Sequence, residues 1–92
     1  MNDSKPYRTS DTPLAAYLYS EGFKIIDIDY TNPTRAEFLF ANNNPKILEC
    51  VRLFNLGIAD VNASTYARLL RLLTKTVTRQ TPWIDNEGAI NG

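Results

Sequence analysis

Between residues 10 and 22 the apolar positions recur at helical spacing. Leu14, Tyr17 and Leu18 stand at i, i+3 and i+4 and share one face. Ser10-Asp11-Thr12-Pro13 precedes them. Its hydroxyls and carboxylate can take up the free N–H groups of a first turn, and proline already holds a helical φ. Gly22 offers the left-handed residue that ends a helix. Residues 1–9 are polar and predict an arm outside the domain.

The period then changes. Over 23–30, Ile26, Ile28 and Tyr30 alternate with Asp27 and Asp29, which predicts a half-buried strand. After Asn32-Pro33 a second alternation sets Ala36, Phe38 and Phe40 against Arg35, Glu37 and Leu39. Pairing the two strands so that their apolar sets share a face requires residue numbers with an even sum. A sum of 64 places Asp29 opposite Arg35, Ile26 opposite Phe38 and Ile25 opposite Leu39, around a loop of Thr31-Asn32-Pro33. A sum of 66 would oppose Asp29 to Glu37, a repulsive pair. The first register is therefore expected, although proline is awkward in such a loop.

Helical spacing returns after Asn42-Asn43-Asn44-Pro45, with Ile47, Leu48, Val51 and Phe54 as the buried stripe and Gly57 as the stop. Ile58 to Val61 is an apolar link that could form a third strand. Asn62 caps a last helix reaching about Thr78, and Val61 can staple onto Tyr66 across its first turn. The expected fold is a small single-domain α+β protein of order α-β-β-α-α, spanning 10–78, with an antiparallel β-hairpin packed against helices. Residues 79–92 read as a tail. Ile25 and Leu39 fall on the outer hairpin face, where the tail or a second subunit would have to cover them, so a homodimer is conceivable.

Composition narrows the chemistry more than it widens it. Ten basic and ten acidic residues give a formal net charge of +0, so attraction to nucleic acid or membrane must come from a local patch. With no histidine, the commonest metal ligand and general base are both missing. The single Cys50 makes no disulfide within the chain and no thiolate zinc site, and without a neighbouring base it reads as a small buried side chain. The start resembles no signal peptide and no apolar run approaches the ~20 residues that span a bilayer, so the cytoplasm is the expected location. Asn62-Ala63-Ser64 matches a glycosylation acceptor but lacks that secretory context.

The clearest local patch is on the last helix. Arg68, Arg71, Lys75 and Arg79 fall within an arc of about 80°, opposite Tyr66, Leu69, Leu70, Leu73 and Val77. No acidic residue stands between Asp60 and Asp85 to form the usual i,i+4 pairs. The stripe is either the solvated outer face of an amphipathic helix or a docking surface for phosphate oxygens, which arginine can grip with two bonds. Trp83, just beyond it, either folds back over Ile25 and Leu39 or anchors in a partner. Asp27, Asp29 and Glu37 share a hairpin face and could hold a metal or exchange protons. They alternate with buried positions as solvated strand residues do, and Arg35 and Lys24 can offset them. The chain also lacks a phosphate-binding glycine loop, a Cys-x-x-Cys pair and a serine nucleophile elbow. No catalytic residue, metal ligand or cofactor is expected.

Arg8-Thr9-Ser10-Asp11 leading into Leu14-Ala15-Ala16-Tyr17-Leu18, then Gly22-Phe23-Lys24, resembles the opening of a family of short uncharacterised microbial and viral proteins, defined as a domain of unknown function. Arg35-x-Glu37-Phe38-x-Phe40, Phe54-x-x-Gly57, Val61-Asn62 and Tyr66 with Leu70-Arg71-x-Leu73 extend the likeness to about residue 75. The resemblance implies the same element order and, by analogy, an accessory or host-interaction role. It implies no activity.

The functional expectation is a non-enzymatic binding module. Arg68, Arg71, Lys75, Arg79 and Trp83 would bind an anionic partner, nucleic acid first and an acidic protein surface second. The alternative is a protein-interaction or inhibitor protein that uses the hairpin edge, with Ile25 and Leu39, or the Trp83 tail.

Overall fold

Five consecutive residues, Leu14 to Leu18, are buried, so the helix that carries them is enclosed on all sides. The computed structural model describes residues 5–41 and 45–83. Its elements are β1 (Tyr7–Thr9), α1 (Thr12–Ser20), β2 (Ile25–Asp29), β3 (Glu37–Phe40), α2 (Pro45–Asn55) and α3 (Ala63–Thr78). α1 is the enclosed helix. Asp11 caps it, its carboxylate accepting from the Leu14 N–H at 3.1 Å. It packs against α3, α2 and the start of the sheet. Ile25, Ile28, Phe38 and Phe40 from the sheet join it in one core with Ile47 of α2 and Leu69 and Leu73 of α3.

The fold is α+β, and the helices and hairpin follow in the expected order. The sheet has one strand more than expected. It is antiparallel, in the order β1-β3-β2. Residues 7–9 of the expected polar arm are its third strand, while residues 1–4 lie outside the described residues. Tyr7 pairs with Phe40 and Thr9 with Phe38 on the helix side, and Arg8 pairs with Leu39 on the outer side. Three residues are too few for a period-2 signal to stand out. Ile58 to Val61 is not a strand, and Ile58 is 63% exposed.

The hairpin register is also corrected. Asp29 lies opposite Glu37, Ile28 opposite Phe38 and Asp27 opposite Leu39, the sum-66 pairing. Repulsion between the opposed carboxylates is cancelled by β1. Arg8 Nη2 donates to Asp29 Oδ2 at 2.5 Å and to Glu37 Oε1 at 2.8 Å, and its Nε donates to Glu37 Oε1 at 3.0 Å. Arg35, expected opposite Asp29, donates to Ser10 Oγ instead. The longer connection, 30–36, gives Pro33 a place it suits. Arg35 N–H donates to Asn32 C=O, closing a β-turn with proline at its second position.

A bulge between Ile25 and Asp27 changes the faces. Ile25 pairs with Phe40 and is 1% exposed, whereas Ile26, expected inside, is turned out. Ile25 and Leu39 are therefore not the outer apolar pair that the alternation suggested. Ile25 is core, and Leu39 stands half-buried on the outer face beside Arg8. On α2, Ile47 is buried and Val51 and Phe54 are half-buried, but Leu48 is 51% exposed. The asparagine cap expected before α2 lies outside the described residues.

The Asp29 carboxyl is held down to about 2 by hydrogen bonds from Thr31 and then from Arg8, against 3.8 in an unconstrained chain. Its contribution to stability is full above the unfolded value and is lost as pH falls through the folded one. Asp29→Asn should melt below the parent at about pH 6, with the gap in Tm narrowing from about pH 4 and closing near pH 2. A gap independent of pH in a thermal melt series would show that the Asp29 charge contributes nothing to the docking of β1.

Candidate anion-binding face on helix α3

α3 begins where asparagine can serve its free amides. Asn62 Oδ1 accepts from Thr65 N–H at 3.0 Å, and Val61 and Tyr66 both pack onto the core. Leu69 and Leu73 point inward to α1, with Leu70 and Val77 half-buried beside them. The four expected cations, Arg68, Arg71, Lys75 and Arg79, are all exposed on the opposite side. Among the described residues none of the four has an acidic partner. Charges at Lys75 and Arg79 also complement the negative end of the helix dipole, a structural role that needs no ligand.

Arg71, Lys75 and Arg79 line a shallow, mostly apolar groove together with Leu70, Thr74 and Thr78. These are two neighbouring i, i+4, i+8 rows of a single helix. The first row was readable as a charge stripe. The second carries no charge, but the same helical arithmetic would have found it. Arg68 lies one turn earlier, outside the groove.

The end of α3 is tied down on its other side. Gln80 takes φ +52, and the Thr81 N–H donates back to Thr76 C=O, a Schellman closure of the kind that Gly22 and Gly57 make after α1 and α2. Tyr30 OH, at the end of β2, donates to Thr81 C=O at 2.6 Å. This turn delivers Trp83 to the open edge of β2. Its Nε1 donates to Ile25 C=O at 2.8 Å, and its ring meets Tyr19 edge-on at 5.8 Å. Trp83 is thus half-buried and spent on the fold, apart from the cationic groove, and the structure does not bring it together with the stripe.

The remaining candidates resolve into structural roles. Asp29 and Glu37 are bridged by Arg8, while Asp27 takes up the Ile28 N–H at 2.8 Å. Among the described residues no group of three or more potential ligands could hold a metal. Cys50, half-buried, lies against the Tyr17 hydroxyl, whose pKa is pushed up to about 12 by burial and then by that thiol. The stacked Tyr17 and Phe54 rings, 5.4 Å apart, mark the same α1–α2 contact. No helix among the described residues is long and apolar enough to cross a membrane.

The fold is that of a small α+β domain whose last helix carries an exposed row of cations. Comparison with protein families then places it. Residues 4–78 match the family described as a domain of unknown function (DUF5659), and the chain belongs to that family. Comparison with curated proteins and with solved structures returns no match.

Two variants test the closure around Trp83. Trp83→Ala should cost about 2 kcal/mol in chemical unfolding, since a half-buried ring and one hydrogen bond are lost. An unchanged midpoint would mean that the indole does not hold the β2 edge. Gln80→Gly should raise stability by about 0.5 kcal/mol, because glycine takes the left-handed conformation without a steric cost. A drop in the unfolding midpoint would contradict that reading of the turn.

Proposed function

We propose that this protein is a non-enzymatic binding module of the cytoplasm that docks an anionic partner, nucleic acid in the first place, on the exposed face of α3. The observation that carries the reading is the groove lined by Arg71, Lys75 and Arg79, three exposed cations without an acidic partner among the described residues. A solvated face would ordinarily interleave Glu with Lys or Arg at i,i+3 or i,i+4, and α2 does pair Glu49 with Arg52 at i,i+3. α3 has no such pair. An acidic protein surface is the second candidate for the same face.

Docking through the hairpin edge and the tail has less support. Trp83 already occupies the Ile25 carbonyl at the β2 edge, so a partner strand would have to displace it.

Labelled mixed-sequence nucleic acid, titrated at about 50 and 200 mM salt, checks the proposal. Up to four phosphate contacts predict affinity falling by up to roughly 100-fold across that range. The double variant Arg68→Glu with Arg71→Glu should abolish binding while leaving the melting curve in place. No binding at the lower salt concentration would remove nucleic acid as the partner, and the acidic protein surface would then be sought by pull-down.

A further inference from the structure

The form of nucleic acid follows from where the aromatic side chains are. Proteins that hold single strands do so with exposed aromatic rings on which bases stack, beside a cationic track. Here the five tyrosines, four phenylalanines and Trp83 are all buried or half-buried in, or packed against, the one core. Among the described residues the exposed large apolar side chains are Ile26, Leu48, Leu56, Ile58 and Leu72, none of them aromatic. The two rings that end nearest the open side of β2 are already committed. Trp83 donates to Ile25 C=O, and Tyr30 donates to Thr81 C=O. The cationic face therefore has no stacking platform beside it.

What the face does offer is a straight, stiff row of charge. Arg71, Lys75 and Arg79 are successive i+4 positions, each step rising about 6 Å along the axis. Because Leu69 and Leu73 are buried against α1, the row cannot bend to follow a flexible strand. Thr74 and Thr78, in the facing row, add hydroxyls suited to phosphate oxygens, and the groove contains no Asn or Gln amide to read adenine; its arginines and lysine can grip guanine as well as phosphate, but their straight i+4 row favours a phosphate track. A helix with its side chains is about 10–12 Å across, comparable with the B-form major groove at about 12 Å. The A-form groove of duplex RNA is too narrow to admit side chains.

Resting on the reading above, we infer that the ligand of α3 is duplex DNA, held through its phosphate backbone without regard to base sequence. Arg71, Lys75 and Arg79 form the contact row, with Thr74 and Thr78 supporting it.

Fluorescence anisotropy with the full chain tests this. The labelled probes are a mixed-sequence DNA duplex, a duplex of scrambled sequence, an oligo-dT strand of equal length and a matching RNA duplex. The two DNA duplexes should bind within about twofold of each other and at least about tenfold more tightly than oligo-dT or duplex RNA. Three phosphate contacts should weaken duplex binding by roughly 40-fold between about 50 and 200 mM salt. Lys75→Ala should lower the magnitude of the salt slope by about one contact. Equal or tighter binding to oligo-dT or to duplex RNA would overturn the duplex DNA assignment, and a tenfold preference between the two DNA sequences would overturn sequence independence. In each of these cases the anion-binding face would still stand. Failure of every probe to bind at low salt would instead remove the nucleic-acid reading itself.

Discussion

The burial of α1 is the constraint on which the other elements depend. Leu14 to Leu18 are covered in succession, and a helix with no exposed stripe needs neighbours on several sides. The inner face of the sheet, α2 and α3 supply them. None of these could stand alone: a hairpin is marginal in water, and helices of 11 and 16 residues gain most of their stability from packing. Each folds because α1 offers it an apolar surface, and α1 is helical in place because all of them close around it.

The elements are then secured at their ends and edges by polar side chains. Arg8 holds the short β1 to the hairpin through two carboxylates. Trp83 and Asp27 satisfy backbone groups of β2, the other edge strand, which otherwise would be open to another chain. Tyr30 joins that strand to Thr81, three residues beyond α3. These ties explain why charge is distributed as it is. Asp29 and Glu37 of the sheet share Arg8, whereas among the described residues the cations of α3 have no acidic partner.

That segregation gives the binding reading its physical content. A chain with no net charge exerts no long-range pull, so attraction has to arise within a Debye length of the face itself. The packing of Leu69 and Leu73 against α1 makes α3 a fixed support for Arg71, Lys75 and Arg79. Side chains on such a support lose less freedom on binding than they would on a loop.

Features set by neighbouring residues were legible in the sequence. These include a capping segment at Ser10-Asp11-Thr12, the cap at Asn62, the stops at Gly22 and Gly57, the helical span of α3 and the alignment of its four cations. All follow from i to i+4 relations that the chain carries locally. Features decided between distant segments were not legible. Asp29 faces Glu37 because Arg8, 21 and 29 residues away, makes that pairing favourable, and a reading of two strands alone must count it as repulsive. The bulge that buries Ile25 and exposes Ile26 shifts parity at one point, which alternation by itself cannot show. Trp83 shares the end of the chain with the cationic stripe, yet the turn at Gln80 carries it to the β2 edge. Local periodicity determined the elements and the charge on their faces. Only the tertiary structure decided register, inside and outside on the sheet, and which exposed side chains remained available, because those depend on partners that meet only when the chain has folded.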